Sequence, residues 1–368
     1  MPDVPREIEY MRHALRLAAR GQGRVEPNPM VGCVLVRDGR IIGTGHHRRF
    51  GGPHAEVEAL RSCRGGARGA TAFVTLEPCC YTGKTPPCTE ALLAAGVARV
   101  VAAMTDPNPR VAGQGLRRLR RAGVRVECGL LGAEAAALNA PFVKLMTTGR
   151  PWVILKWAQS LDGRIATRTG DSQWITGPAA RAHVHRVRGR VDALVVGVGT
   201  VLRDDPLLTC RSGRPRRTAT RVVLDTRLRT PLTAQLVRTA RDVPTWVFCG
   251  HGAPVARARR LEQVGCRVIP VPTGRGGVSP AAVLAELGAA QFANVVVEGG
   301  GQVLGAFADA GLADEVHAYT APVLIGGDGA PGPLGGRGVA RIADGVKLAV
   351  TTWRRLGADW LVIGRVAR

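Results

Sequence analysis

The sequence predicts two consecutive α/β domains, each a sheet of mainly parallel strands with helices on both faces. The chain has 368 residues, roughly two to three times the most common size of a single domain. In both halves short apolar segments alternate with segments of helical periodicity, and such strand-helix-strand units require parallel pairing through right-handed crossovers. The alternation is lost over residues 139–151, which end in the turn-rich sequence Thr147-Thr148-Gly149-Arg150-Pro151. We therefore expect domains at residues 1–148 and 149–368.

The first domain is expected to begin with a helix over residues 7–19 and a hairpin with strands over 31–36 and 41–43. Asp38-Gly39 lies between these strands and suits a tight turn, because both central residues need positive φ. The later elements alternate as a helix from residue 54, a strand over 72–76, a helix over 89–96, a strand over 99–104, a basic helix ending near 123 and a strand over 124–128.

The second domain is expected to contain strands over residues 152–158, 193–198, 221–225, 245–249 and 294–298, with helices between them. No internal repeat or low-complexity tract interrupts this pattern. This half is therefore predicted to be a second α/β fold.

Composition excludes several classes of protein. Hydrophobic residues make up 45% of the chain and charged residues 21%, which are ordinary values for globular proteins and not those of a disordered chain. Every apolar stretch is broken well before it could span a bilayer, and residues 1–20 lack the apolar core of a secretory signal. We expect a cytoplasmic protein with no membrane partner.

The net charge of +23 is of the kind found in nucleic-acid-binding proteins. However, only four of the 51 cations are lysines, and the arginines are spread over the whole chain rather than gathered in one arm. The arginine-rich segments 117–121 and 211–221 are interpreted as solvated surfaces or small-phosphate contacts, with a polyanion surface as the alternative. Because aromatic residues make up only 4%, few stacking platforms exist, and we expect no nucleic-acid partner.

Two of the nine cysteines, Cys79 and Cys88, are placed for metal binding. His54-Ala55-Glu56 at a helix start, Pro78-Cys79 and Cys88 supply one imidazole and two thiolates, which leaves a fourth zinc position for water, as in catalytic zinc sites. Glu56 would not be a ligand but would move the proton of that water to the departing amine, as in zinc-dependent nucleobase deaminases. A structural zinc is the alternative, but it lacks a fourth ligand because Cys80 directly follows Cys79.

The spacing of the two ligand cysteines differs from that of polynucleotide and free-nucleoside deaminases, which resemble P-C-x-x-C. Here eight residues, 80–87, separate Cys79 from Cys88. They place Gly83 and Lys84 beside the metal, which suits a small anionic substrate.

Two glycine-rich turns follow apolar strands in the second half. Gly197-Val198-Gly199-Thr200 and Glu298-Gly299-Gly300-Gly301-Gln302 would each let backbone amides approach an anion at a helix start. Two such turns in one domain indicate a dinucleotide bound across the sheet, although ordinary strand-to-helix connections remain the alternative.

Taken together, these motifs resemble the bifunctional deaminase/reductase family of riboflavin biosynthesis over about residues 7–327. In the first half the resemblance rests on Asn28-Pro29, Val31-Gly32, His47, Gly51, His54-Ala55-Glu56, Glu77-Pro78-Cys79, residues 83–88 and Asp106-Pro107-Asn108-Pro109. In the second half it rests on Leu155-Lys156, residues 160–164, 172–176, 199–202 and 204–209, and Glu298-Gly299-Gly300.

The resemblance implies a cytidine-deaminase-like three-layer α/β/α domain followed by a dihydrofolate-reductase-like α/β domain, with one Zn²⁺ per chain and NADPH as cofactors. It implies deaminase substrate contacts at Asn28, His47, Lys84, Asp106 and Asn108. It implies reductase substrate contacts at Ser172, Arg188, Leu208, Arg211 and Glu298. It implies cofactor contacts at Ala158, Trp174, Thr200, Asp204, Thr226, Gly300, Gly301, Gln302, Val303, Leu304, Gly305 and Ala306. Many relatives have a histidine where this chain has Tyr81.

Lys156 is the candidate catalytic group of the second domain. A lysine inside a predicted strand is unusual, because interior strand positions are normally apolar and a charge there needs a partner. We expect its compact ammonium to orient the opened ribose of the substrate during hydride transfer, where a guanidinium would be too broad. An outward-facing lysine on an edge strand is the alternative.

The expected function is therefore zinc-dependent deamination of a phosphorylated diaminopyrimidinone ribosylamine, followed by NADPH-dependent reduction of its ribosyl group to ribityl. The expected partner is this small molecule, with a homo-oligomer also possible. A polynucleotide deaminase would leave the second domain without a role. A non-catalytic zinc-stabilised nucleotide-binding protein would leave Glu56 without one.

Overall fold

The chain folds into two compact units. A computed structural model describes residues 4–211, 213–274 and 276–367. The units are Met1–Gly149 and Arg150–Arg368, so the division falls one residue after the position expected from the sequence.

The first unit contains a five-stranded sheet and six α-helices along the chain. The strands are β1 (Gly32–Arg37), β2 (Arg40–His46), β3 (Thr71–Val74), β4 (Arg99–Ala102) and β5 (Arg125–Cys128). The helices are α1 (Val4–Ala18), α2 (Ala55–Ser62), α3 (Cys88–Ala94), α4 (Gln114–Arg121), α5 (Gly132–Leu138) and α6 (Ala140–Thr148).

The sheet of the first unit has the strand order β2-β1-β3-β4-β5, in which β3, β4 and β5 are parallel and β1 pairs antiparallel with both neighbours. Apolar residues of α2, α3 and α4 pack on one face, and those of α1 and α5 pack on the other. The predicted three-layer α/β/α architecture is confirmed. Asp38 and Gly39 have φ of 50° and 70°, which confirms the tight hairpin turn.

Gly45 on β2 brings the start of α2 close to the sheet. A Cβ at this position would lie 2.3 Å from the carbonyl oxygen of Ala55 and from the amide nitrogen of Ala59. Because no side chain separates strand and helix here, the first turn of α2 lies directly against β2. This close approach places His54 and Glu56 at the edge of the sheet.

The prediction for residues 139–151 is wrong, because residues 140–148 form α6 rather than a turn-rich connection. Proline is at one of the first two helical positions, Phe142 and Leu145 are buried one turn apart, and Gly149 ends the helix with a φ of 66°. Proline at a helix start and glycine after its end are known boundary signals. These boundary signals are missed in the sequence because the helix is short and its last residues are polar.

The second unit contains a nine-stranded sheet, a two-stranded sheet and six α-helices. The strands are β6 (Trp152–Ser160), β7 (Ala193–Gly197), β8 (Thr220–Leu224), β9 (Thr245–Gly250), β10 (Arg267–Val271), β11 (Thr273–Gly274), β12 (Gly277–Val278), β13 (Asn294–Gly299), β14 (Glu315–Ala321), β15 (Leu348–Leu356) and β16 (Asp359–Val366). The helices are α7 (Pro178–Arg188), α8 (Val198–Asp204), α9 (Gln235–Arg238), α10 (Val255–Gln263), α11 (Pro280–Ala289) and α12 (Gly301–Asp309).

The large sheet has the order β10-β9-β8-β7-β13-β6-β14-β16-β15. Neighbouring strands are parallel from β10 to β14, whereas β16 pairs antiparallel with β14 and β15. Apolar residues of α11 and α12 pack on one face, and those of α8, α9 and α10 on the other. The five predicted strands are present, and β10, β14, β15 and β16 extend the sheet beyond them.

None of the helices in the described parts of the chain is long and apolar enough to cross a membrane.

Candidate active sites

Three metal-ligating side chains converge at one end of the first sheet. His54 immediately precedes α2, Cys79 follows β3, and Cys88 is the first residue of α3. The Nδ1 atom of His54 lies 3.5 Å from the Sγ of Cys79 and 3.3 Å from the Sγ of Cys88. One donor atom from each residue lies within 4.8 Å of the other two. One imidazole and two thiol groups at these separations fit a zinc ion.

Glu56 is buried in the first turn of α2, beside this cluster. Burial and the neighbouring Cys79 thiolate raise the pKa of Glu56 to about 7. Because Glu56 lies in the first helical turn and not in a regular helix interior, it can approach the same space as His54. The sequence predicts that Glu56 lies at a helix start together with His54.

A cavity of about 360 Å³ opens in front of these residues. Its walls contain His54, Glu56 and Cys79, whereas Cys88 is fully buried behind them. All five residues that the resemblance assigns to the deaminase substrate also line it: Asn28, His47, Lys84, Asp106 and Asn108.

The orientation of Asn28 follows from the hydrogen bonds of His47. The Nδ1 of His47 lies 2.9 Å from the carbonyl oxygen of Pro53, so it donates, and the ring's Nε2 then accepts from Nδ2 of Asn28 at 3.3 Å. Burial lowers the pKa of His47, which agrees with a neutral ring. The carbonyl oxygen of Asn28 is therefore left to accept a hydrogen bond in the cavity.

Several residues of this cavity are missing from the sequence analysis. The Lys84 ammonium lies 4.0 Å from the ring centroid of Phe50, which also lines the cavity. Phe142 reaches the cavity from α6, the helix that the sequence analysis does not predict. Tyr81, which the sequence analysis names only as a difference from many relatives, lines the cavity too. Phe50 and Tyr81 lie next to quoted motifs and could have been suspected, whereas Phe142 could not.

A second cavity, of about 470 Å³, lies in the second unit. It is lined by β6, by the glycine turns after β7 and β13, and by α7. Among the residues assigned to reductase chemistry or substrate, it contains Lys156, Ser172, Arg188, Arg211 and Glu298. The cavity therefore joins residues that are far apart in the chain, such as Lys156 and Glu298, which are 142 residues apart.

Arg188 and Glu298 form a buried bidentate ion pair in this cavity. The Nε and Nη2 atoms of Arg188 donate to the two carboxylate oxygens of Glu298 at 2.9 and 2.5 Å. Burial opposes ionisation, but the cations of Arg188 and Lys156 prevail and lower the pKa of Glu298 to about 2. Burial lowers the pKa of Lys156, and the Glu298 charge partly counteracts this. The Lys156 ammonium lies 5.7 Å from the ring centroid of Tyr319.

Most of the residues assigned to the cofactor line the same cavity, and four assigned residues of this unit do not. The lining contains Ala158, Trp174, Thr200, Asp204, Gly300, Gly301, Gln302, Val303 and Leu304. Leu208 packs in the core instead, and Thr226 accepts a hydrogen bond from the amide of Val278. Gly305 and Ala306 lie deeper along α12, outside the lining.

Comparison with known proteins gives matches to both units. The family model described as "RibD C-terminal domain" matches residues 151–362, and that of the "Cytidine and deoxycytidylate deaminase zinc-binding region" matches residues 5–104. The riboflavin biosynthesis protein RibD of Bacillus amyloliquefaciens is 44% identical over 96% of this chain and 94% of its own length. The chain belongs to the RibD family.

Two solved structures resemble the RibD-family chain along its full length. One is Acinetobacter baumannii RibD, form 1, with a TM-score of 0.89, 38% identity and coverage of 100% of both chains. The other is a diaminohydroxyphosphoribosylaminopyrimidine deaminase/5-amino-6-(5-phosphoribosylamino)uracil reductase from Thermotoga maritima, with a TM-score of 0.86, 35% identity and coverage of 99% of both chains. The predicted cytidine-deaminase-like and dihydrofolate-reductase-like domains are confirmed.

As a RibD-family member, this chain is a bifunctional deaminase and reductase of riboflavin biosynthesis. Its residues fit both cofactors of such an enzyme. The His54, Cys79 and Cys88 donors suit Zn²⁺. Gly199 has open space where a side chain would lie, and Gly300 precedes α12 at the cavity wall, so NADPH can approach the backbone there.

Proposed function

We propose that this chain first deaminates a diamino-ribosylamino-pyrimidinone 5'-phosphate and then reduces the ribosyl group of the product to ribityl. The observation that carries the proposal is that one chain holds both cavities, one with a His-Cys-Cys cluster beside Glu56 and one with Lys156 beside Glu298 and the glycine turns. The name of the Thermotoga maritima structure, which combines these two activities, supports the order of the steps.

In the deaminase cavity, we propose that His54, Cys79 and Cys88 hold zinc and that Glu56 handles protons. Zinc, when bound, lowers the pKa of water so that hydroxide is available near neutral pH. Glu56 takes a proton from the attacking water and gives it to the exocyclic amine, which leaves as ammonia. Its position in the first turn of α2, in the cavity wall together with His54, supports this role.

Binding of the pyrimidine is assigned to the polar residues around the cavity. The free carbonyl oxygen of Asn28 accepts a hydrogen bond from an N–H of the ring or its amine, while His47 fixes the amide. Asp106 and Asn108 contact the opposite side, and the cation of Lys84 attracts the phosphate. These roles explain why a cavity of this size carries so many directed polar groups.

In the reductase cavity, NADPH, when bound, supplies a hydride to the sugar carbon that carries the nitrogen. The ribose ring opens before this step, as the ring oxygen takes the proton of the glycosylamine N–H and becomes a hydroxyl. The resulting imine carbon accepts the hydride, and the imine nitrogen takes a proton from solvent. Lys156 orients the opened ribose and stabilises the negative charge that develops on the ring oxygen as the ring opens, and the Glu298 carboxylate opposes the lowering of the Lys156 pKa by burial. Ser172 and Arg211 hold the rest of the substrate, and Ala158, Trp174, Thr200 and Asp204 hold the cofactor.

We also propose a cytoplasmic location and no nucleic-acid partner. None of the nine cysteines, all within the described residues, forms a disulfide, as expected in a reducing compartment. The polar groups of the first unit face a cavity of about 360 Å³, which matches one nucleotide-sized molecule rather than a strand.

The test is incubation of the purified chain with the phosphorylated diaminopyrimidine, with and without NADPH, with products followed by mass. The Glu56→Gln variant should lose deamination by a factor of about 10² to 10⁴ while it still reduces supplied deaminated intermediate. The Lys156→Ala variant should show the reverse, with reduction lowered at least about tenfold and ammonia release at the parent rate. Parent-level activity of either variant in its own step would remove that assignment.

A further inference from the structure

Glu77 is a buried acid whose carboxylate accepts hydrogen bonds from four backbone amides. It follows β3 and lies two residues before Cys79. Its Oε1 accepts from the amides of Gly115 and Leu116 at 2.8 and 3.2 Å. Its Oε2 accepts from the amides of Asp106 and Gly113 at 3.1 and 2.8 Å. Four amide donors on one carboxylate are enough to compensate for its burial.

The four amides mark the two ends of one loop. Asp106 begins the loop shortly after β4, and Gly113, Gly115 and Leu116 lie at or just inside the start of α4. A carboxylate at a helix start is stabilised by the unpaired amides and by the helix dipole. Glu77 therefore closes the loop of residues 106–113 as a clamp that holds both ends.

This loop forms part of the wall of the deaminase cavity. Asp106, Asn108, Arg110 and Val111 line the cavity. Within the loop, Asp106 accepts from the amide of Asn108 at 2.8 Å, and Asn108 accepts from the amide of Arg110 at 3.1 Å. Both are short local bonds that shape the loop but do not attach it to the sheet.

The start of α4 also packs directly against the backbone beside Glu77. A Cβ on Gly115 would lie 2.0 Å from the carbonyl oxygen of Pro78 and 3.2 Å from Oε1 of Glu77. Only glycine allows this approach. The clamp and the cavity loop are therefore fixed against the same chain segment that carries Cys79.

We propose that Glu77 is a positioning residue for the deaminase, which sets the places of Asp106 and Asn108 against the substrate. The inference rests on the proposed deaminase function, because it assigns Asp106 and Asn108 to substrate binding. Glu77 is itself part of the cavity wall, but each of its carboxylate oxygens already accepts two amide hydrogens of the loop and of the start of α4. Glu77 affects substrate binding only by positioning the loop of residues 106–113.

The expected kinetic signature follows from where these contacts act. Asp106 and Asn108 hold parts of the substrate away from the reacting amine, so their contacts are made equally in the ground state and in the transition state. Loss of such uniform binding raises KM and leaves kcat nearly unchanged. A residue needed only for folding would instead lower the amount of active enzyme, with KM unchanged.

The test compares Glu77→Gln with the parent in steady-state deamination of the phosphorylated diaminopyrimidine. Glutamine has the same shape, but its single carbonyl oxygen can serve one pair of amides while its NH₂ group faces the other pair. We expect KM to rise at least about tenfold, kcat to change less than about threefold, and zinc content and NADPH-dependent reduction to stay at parent level. The Glu77→Asp variant keeps the charge but is one methylene shorter. Its KM should lie between the KM of the parent and that of Glu77→Gln.

The matched control is Glu7→Gln. Glu7 is a carboxylate in the same unit that accepts from Arg99 at 2.5 and 3.1 Å, at the amino end of β4, the opposite end from the loop. This variant should lower the stability of the first unit without changing KM.

Three outcomes would overturn the proposal. The first is a parent-like KM in Glu77→Gln, and the second is an equal rise of KM in Glu7→Gln. The third is loss of zinc from both Glu77 variants, because the carboxylate would then hold the segment that carries Cys79 rather than the loop. Failure of the role proposed for Glu77 can be distinguished from failure of the proposed deaminase function. A parent enzyme that releases no ammonia overturns the proposed function itself, whereas a parent that deaminates, with variants that match it, overturns only the role of Glu77.

Discussion

Replacement of Glu298 by glutamine should destabilise the second unit by about 3 kcal/mol at neutral pH. The side chains of Arg188 and Glu298 are 15% and 5% exposed, and their two hydrogen bonds are charge-assisted and parallel. Glutamine keeps the shape of the side chain but removes the charge, and its NH₂ group faces the guanidinium. Arg188 is then left buried beside Lys156 without a counter-ion.

Two independent arguments give the same magnitude. Removing one partner of a buried ion pair costs about 3 to 5 kcal/mol, because the remaining charge is not compensated. The pKa of Glu298 falls from 4.5 to about 2 on folding. At about 1.4 kcal/mol per pKa unit, this shift corresponds to about 3 kcal/mol of stability.

The stabilisation by Glu298 depends on pH in a direction that follows from its lowered pKa. A carboxyl group whose pKa is lowered in the folded state contributes its full stabilisation above its unfolded pKa, here 4.5, and loses it as the pH falls toward about 2. The difference in unfolding free energy between the parent and Glu298→Gln should therefore be constant from pH 7 to about pH 5. It should shrink toward zero by about pH 2.

Tryptophan fluorescence during urea unfolding measures this difference for the second unit alone. All six tryptophans lie beyond residue 150, so the first unit contributes no tryptophan signal. A double variant, Arg188→Met with Glu298→Leu, is the control, since replacing both charges by apolar groups should cost less than removing one. Equal urea midpoints for parent and Glu298→Gln at pH 7, or a difference that does not change with pH, would refute the reasoning.

Two further predictions concern the metal and a buried cation. Cys88→Ser should lose the single zinc found by metal analysis of the purified parent, while Cys80→Ser should retain it, because Cys80 lies outside the ligand cluster; full zinc occupancy in Cys88→Ser would exclude that ligand. Arg221→Met should destabilise the second unit by about 3 kcal/mol or more in the same fluorescence assay, because the variant removes every hydrogen bond that the buried guanidinium donates to three backbone carbonyl oxygens and two threonine hydroxyls. Its deamination rate should stay at the parent level, and a parent-like urea midpoint would contradict the prediction.

The zinc cluster could be predicted from the sequence because its signal is local and chemically distinctive. His54, Cys79 and Cys88 each lie at or next to the start of a helix or the end of a strand, where apolar periodicity stops. Parallel strands and their crossovers bring such ends to one edge of the sheet. The residue types then leave few interpretations other than a metal site.

The cavity walls around that cluster could not be predicted in the same way. Glu77 was part of a quoted motif, but its four partners are 29 to 39 residues further along the chain, and no pattern in the sequence connects them. Phe142 was hidden because α6 was not predicted. Contacts of this kind depend on how whole helices and strands pack together. Local periodicity in the sequence gives no information about this packing.

The glycines of α12 show a related limit for inferences from resemblance. A small residue at the start of a helix can leave room for a ligand or for the protein's own backbone, and the sequence is identical in both cases. At Gly305 the space is used by the chain, since a Cβ there would lie 2.0 Å from the carbonyl oxygen of Gly335. The loop that contains Gly335 is held in turn by Asp309, which accepts from the amides of Arg337 and Gly338 at 2.6 and 3.0 Å. A glycine is therefore required at position 305 whether or not NADPH touches it. At Gly300, which lines the cavity, a Cβ would meet only the Thr200 Oγ1 at 3.7 Å, so the chain itself leaves room for a side chain there.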